Sequence, residues 1–182
     1  TEHGEIAVYD GDQLLAHRIE TIGHSHTQRL TPFIRETLAE ASIDPAELRW
    51  IASDLGPGSF TGTRVGLATA KGFALVSGAQ LLGASSLAAL AHAAPARKAL
   101  MVPLVGAGRR DLYAGFYRKD TRGTTKLLAS PRVDTPAKLL EAVREALALI
   151  PDHVVRFVGP GAGREQAMLE AAYPMSTALS FR

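Results

Sequence analysis

Cysteine is absent from this 182-residue chain. Disulfides and thiolate metal sites are therefore excluded, and a reducing compartment, the cytoplasm, is expected. Aromatic residues are sparse, at 6% with one Trp, and they do not alternate with basic residues in the stripe that marks a nucleic-acid reader. No apolar run approaches the roughly 20 residues needed to cross a bilayer. Thr1 to Asp10 also lacks the basic-then-apolar order of a secretory signal. Neither sign of charge dominates: 20 Lys and Arg stand against 18 Asp and Glu, a net +2. With the basic residues scattered along the chain, tight direct nucleic-acid binding is not expected. What is present is a globular balance, 46% hydrophobic and 21% charged, long enough for one compact domain or two small lobes.

Residues 5–9 and 14–19 flank Asp10-Gly11-Asp12, whose Asp-Gly step favours a tight reversal, so a β-hairpin is expected. From Ser25 or Thr27 onward, Leu30, Phe33, Ile34, Leu38 and Ala41 recur at helical spacing, and Asp44-Pro45 ends that helix. Residues 50–55 read as a short buried strand stopping at Gly56-Pro57-Gly58; a helix over 61–76 and a strand over 79–84 follow. A short helix over 85–94 closes a first lobe, residues 1–95, and Ala96-Arg97-Lys98 leads into a smaller second lobe, 96–182. There the pattern predicts strands over 100–105, 112–118 and 126–129, a helix over 135–150 capped by Thr135, a strand over 154–158 and a helix over 162–173. Both halves place antiparallel strands ahead of alternating helices and strands, an α/β layout with a weak structural repeat.

The segment from Gly56 to Arg64 joins a strand to a helix and holds three glycines in its first seven residues. Such a turn serves either tight packing or close backbone approach to an anion. For an anion, Gly58, Ser59, Thr61, Gly62 and Thr63 are the candidate contacts, with Ser59 or Thr61 as the cap. It is not a Walker A loop, because no lysine follows the last glycine, and Ser59 lacks a nucleophile-elbow setting. In the helix beyond, Gly62, Gly66, Ala70 and Ala74 recur every four residues and leave one face nearly bare, against the core or against a partner helix.

Gly56-Pro57-Gly58-Ser59-Phe60-Thr61-Gly62-Thr63-Arg64-Val65-Gly66, running on to Ala70-Lys71-Gly72, resembles the signature of the TsaB (YeaZ) family. His26-Thr27-Gln28-Arg29-Leu30-Thr31-Pro32 resembles the start of that family's first helix, and weaker resemblance extends from about Glu5 to Gly163. The resemblance implies an actin-like fold, of the sugar kinase/Hsc70/actin type, built from two ribonuclease-H-like lobes. It implies a dimerisation subunit, not an enzyme by itself, that supports the catalytic subunit TsaD in forming N6-threonylcarbamoyladenosine beside the anticodon of tRNAs reading codons that begin with A. TsaE and the threonylcarbamoyl-AMP made by TsaC or its relatives belong to the same assembly, and tRNA is met only through it. ATP or ADP and a metal are expected in the TsaD partner, with no cofactor or metal held by this chain alone and no membrane contact. The resemblance implies that the two signature-bearing helices form the interface, about Thr27 to Ala41 and Thr61 to Val76, with Leu30, Phe33, Ile34, Thr37, Gly62, Gly66, Ala70, Phe73 and Ala74 as the expected contacts of a homodimer when the chain is alone.

Against the family pattern, the opening strand and a C-terminal segment are expected to be missing. Gly106-Ala107-Gly108-Arg109-Arg110-Asp111-Leu112-Tyr113 replaces the family's Asp-Ala-Arg run with glycines, leaving Asp111 and Tyr113 as counterparts in an exposed turn. His24-Ser25-His26 lacks a third ligand at metal spacing, and no His-x-x-x-His of the TsaD kind occurs. Gly159-Pro160-Gly161-Ala162-Gly163 reads as a structural turn before a helix. The alternative function is an autonomous ATP-dependent phosphotransferase or ATPase of the same fold, with Asp54 as the candidate magnesium ligand. A tRNA-binding module is a weaker third.

Overall fold

The Asp-Gly step reverses the chain between β1 (His3–Asp10) and β2 (Gln13–Thr21), which pair antiparallel from His3↔Thr21 to Asp10↔Gln13. The computed structural model describes residues 3–21, 26–108 and 110–173, the side chains of residues 3 and 26–28 excepted. Helix α1 (His26–Glu40) lays its apolar stripe on this hairpin. Leu38 is buried with Val8 and Ala16, and Leu15, Ile34, Ala41, Ile43 and Leu48 pack around them. The helix stops before Asp44, where Asp44 and Glu47 form a reciprocal capping box around a short 3-10 turn, Pro45–Glu47.

A charge network ties α1 to β2. Arg29 bonds Glu20 through two nitrogens at 2.6 and 2.8 Å and reaches Glu36 at 2.7 and 3.0 Å, while Arg18 adds a bond to Glu36 at 2.9 Å. The Arg29 hydrogen bonds hold both carboxyls below the usual glutamate range. A carboxyl whose pKa falls on folding contributes stability in full above its unfolded value and loses it as pH drops through the folded value. Acidification from neutral pH is thus expected to lower the melting temperature of the parent more steeply than that of Arg29→Met, in which the two carboxylates already repel one another. Parallel melting profiles between neutral and acid pH would remove the network as a contributor.

Strand β3 (Trp50–Asp54), helix α2 (Phe60–Ser77) and strand β4 (Gln80–Ala84) form a parallel crossover unit, with Trp50↔Gln80 through Asp54↔Ala84 in register. The chain divides into two compact units, Thr1–Ala84 and Ser85–Arg182. Helix α3 (Ser86–Ala93), placed by the sequence at the end of the first lobe, packs in the second unit. Its Leu87 and Ala91 are buried against Met101, Tyr117 and Val158.

The second unit is built on a four-stranded sheet in the order β7-β6-β5-β8. Strands β5 (Ala99–Gly106), β6 (Leu112–Lys119) and β7 (Thr125–Asp134) run antiparallel, and β8 (Val154–Val158) lies parallel to β5. Alternation sorts the faces. Leu100, Val102, Leu104, Leu112, Ala114 and Phe116 pack under helix α4 (Pro136–Ala148) through Leu139, Val143 and Ala146, whereas Ala99, Met101 and Tyr117 face α3. Covered on both sides, β5 is buried from Ala99 to Leu104. Lys119, also on the α3 face and 5% exposed, donates to the carbonyls of His92 and Ala94 at 2.6 Å and of Ala91 at 3.4 Å, closing the C-terminus of α3.

Three local expectations shift. Strand β7 runs on to Asp134 because its pairing with β6 resumes beyond a register shift near Phe116 and continues to Leu112↔Asp134. Thr135 stands at the N-cap of α4 without a side-chain bond, and Pro136 in the first turn sets the entry instead. The last helix is two, α5 (Pro160–Arg164) and α6 (Gln166–Ala172), separated at Glu165. Among the described residues no helix is long and apolar enough to cross a membrane.

Candidate partner interface

Asp54 ends β3, and its Oδ1 accepts the Gly56 amide at 2.8 Å, turning the chain out of the strand. Gly56 stands at φ +83, where a Cβ would also lie 3.3 Å from the Gly58 nitrogen, so the position requires glycine. Ser59 caps α2. Its Oγ accepts the Gly62 amide at 3.2 Å and its carbonyl accepts the Thr63 amide at 2.9 Å. The Gly62 and Thr63 amides, which the sequence offers to an anion, are thus already bonded. The Asp54 carboxylate at the mouth of the turn disfavours further negative charge.

Beyond the cap, Gly62, Gly66, Ala70 and Ala74 lie partly exposed along α2, and a Cβ built at Gly66 meets nothing within 4 Å. Phe73 turns inward to the Val8, Ala16 and Leu38 cluster. The remaining large apolar side chains at the two ends of the helix face outward: Phe60 is 70% exposed, Leu75 86% and Val76 88%. The Arg64 guanidinium sits over the Phe60 ring, 3.7 Å from its centroid, an exposed cation–π pair. Trp50 and Leu82 on the neighbouring strands are exposed as well, so the strand expected to be buried over 50–55 is instead open to solvent along alternate residues. No residue of α2 is buried, although helices of this apolarity normally cover an apolar surface. Exposed patches of this kind mark interaction sites more often than bare surface.

The family model described as "TsaD: tRNA N6-adenosine threonylcarbamoyltransferase" matches residues 15–164. The tRNA threonylcarbamoyladenosine biosynthesis protein TsaB of Escherichia coli is 29% identical over 125 residues, 68% of this chain and 54% of that protein. An uncharacterized protein of Mycobacterium leprae is 30% identical over 176 residues, 96% of this chain and 45% of that protein. The solved structure of YeaZ from Pseudomonas aeruginosa aligns with a TM-score of 0.73 at 25% identity, over 99% of this chain and 80% of that one. The chain belongs to this family, among its TsaB (YeaZ) members. It spans about half the length of the two curated relatives, 54% and 45%.

The residues that the TsaB resemblance singles out do not all share one surface. Leu30 and Ile34 are partly exposed on α1. Phe33 and Thr37, however, have no exposed area. The Arg18 guanidinium lies 5.7 Å from the Phe33 ring centroid, and the Thr37 hydroxyl donates to the Phe33 carbonyl at 2.9 Å. These two belong to the core and have no surface to offer a partner. Phe60, Arg64 and Val76, which lie in or beside the signature helix but were not among the residues singled out, are exposed. Their signal was in the sequence, since Phe60 and Arg64 stand one helical turn apart.

Elsewhere, Asp111 is exposed and its carbonyl accepts from Arg164 at 3.3 Å, while Tyr113 packs against the α3 cluster. Arg109 lies outside the described residues, as do His24, Ser25 and the His26 side chain. Among the described residues no group of three or more His, Asp or Glu could hold a metal. A small cavity under α4 is lined only by apolar side chains, among them Val102, Leu139 and Phe157, and offers no polar group to orient a ligand.

Proposed function

We propose that the chain is a non-catalytic dimerisation subunit that pairs with TsaD and supports formation of N6-threonylcarbamoyladenosine next to the anticodon of tRNAs reading codons that begin with A. The observation that carries this reading is α2, an 18-residue helix with no buried residue, open space at Gly66 and apolar ends turned to solvent. Unit 1 as a whole fits such a role. Of the thirteen exposed large apolar side chains among the described residues, nine lie in it and four in unit 2, so a partner surface is what unit 1 has to give. In this reading the two units are the two ribonuclease-H-like lobes of an actin-like fold, and the contact runs through Leu30 and Ile34 of α1 and Phe60, Gly62, Gly66, Ala70 and Val76 of α2. TsaE and threonylcarbamoyl-AMP synthesis complete the cytoplasmic pathway. ATP or ADP and a metal reside in TsaD, and the chain pairs with itself when alone.

Light scattering on the chain, alone and mixed with TsaD, tests this. A homodimer that gives way to a heterodimer is expected, and a monomer indifferent to TsaD at high concentration sinks it. The competing phosphotransferase reading would need open amides and several carboxylates. In the turn segment 54–64 Asp54 is the one carboxylate, and Ser59 already engages the Gly62 and Thr63 amides. Titration calorimetry with magnesium-ATP is expected to give no heat beyond dilution.

A further inference from the structure

Charge divides unevenly between the two units. Residues 1–84 carry 10 acidic and 6 basic side chains, and residues 85–182 carry 8 acidic and 14 basic, so the near-neutral total conceals units of −4 and +6. The fold then gathers the excess. Strands β5 and β8 begin, β6 ends and β7 begins at one edge of the second sheet. Arg97 donates to the Thr121 carbonyl at 2.8 Å, the Lys98 amide donates to the Asp120 carbonyl at 3.3 Å, and Arg118 and Lys126 are direct cross-strand partners. With Arg122 in the turn between them, this edge presents five exposed basic side chains. The described ion pairs of unit 2 use Arg132, Lys138 and Arg164 instead. Two carboxylates stand nearby. Asp120 spends Oδ1 on the Arg122 and Thr124 amides, and Asp152 is exposed ahead of β8. Lys119 points inward and braces the end of α3, from which Arg97 departs.

We propose that this edge of unit 2 is a contact surface for the phosphate backbone of folded RNA. Flexible Lys and Arg stems around a sheet edge neutralise phosphates without reading bases, and no aromatic residue accompanies the five. A protein–protein interface core would instead be depleted of charge and rich in aromatics. The choice of RNA among polyanions rests on the tRNA-modification reading; the surface itself does not.

The test is fluorescence anisotropy of an unmodified tRNA transcript with the full-length chain between about 50 and 200 mM salt. The parent is compared with Arg118→Gln/Arg122→Gln/Lys126→Gln, whose folding is checked by circular dichroism. The variant is expected to bind at least tenfold more weakly at the lowest salt, with a salt slope shallower by roughly two to three. Unchanged affinity and slope would overturn the proposal, as would a parent that fails to bind at low salt. So would a variant that loses a protein partner in light scattering while keeping the RNA. Failure of TsaD pairing with RNA binding intact would defeat the dimerisation reading and leave this surface standing.

Discussion

Gly66→Arg is expected to abolish pairing with TsaD, weakening association at least 100-fold, while the isolated chain melts no lower than its parent. A Cβ at Gly66 meets nothing within 4 Å, so the arginine stem extends into free space and folding has no clash to absorb. Replacing a mid-helix glycine by a good helix former even favours α2, by about 0.5–1 kcal/mol. In a helix contact the same side chain drives an unpaired charge and a long stem into an apolar face. That costs several kcal/mol, and every 1.4 kcal/mol is tenfold in affinity. Light scattering and thermal melting on the same samples separate the two effects. Intact assembly would mean that α2 is not the contact, whereas loss of assembly together with a lower melting point would mean that Gly66 serves the fold.

Gly161→Val is expected to destabilise the second unit by about 3 kcal/mol, the upper range for overpacking a core. A Cβ at this position would lie 2.8 Å from the Leu104 carbonyl carbon, 2.9 Å from its oxygen and 2.9 Å from Leu112 Cδ2. Leu104 sits on β5, one residue past its last partner on β8, with its backbone paired to Ala114 of β6 and its side chain buried, so a retreat would disturb both the ladder and the core. Gly106→Ala is the matched control, since its Cβ meets only Arg164 Nη1 at 3.6 Å. Unfolding free energies from urea titration should fall for Gly161→Val and stay within about 0.5 kcal/mol of the parent for the control. Equal values for the two would show that α5 can move off the sheet. The result also bears on the Gly159 to Gly163 run, whose glycine at 161 is explained by close packing of α5 on β5 and needs no bound phosphate.

Features that depend on a few neighbouring residues were legible before any fold was known. The Asp10-Gly11 reversal, the helical spacing from Leu30 to Ala41, the stop at Asp44-Pro45 and the strand-turn-helix around Gly56 are local preferences of backbone and side chain, readable without knowing what lies opposite, whereas the choice of Ser59 over Thr61 as the cap came with the structure. The TsaB signature was legible for the same reason, as a contiguous run of residues. Tertiary structure decided everything that depends on distant pairing. It buried Phe33, under Arg18 of β2, and Thr37 beside it on α1, and it assigned α3 to the second unit because Met101, Tyr117 and Val158 meet Leu87 and Ala91. It also collected Arg97, Lys98, Arg118, Arg122 and Lys126, spread over thirty residues of chain, at one sheet edge. Helical period states which residues share a face but not which face finds a core, and a charge count states how many bases exist but not where strand pairing brings them together.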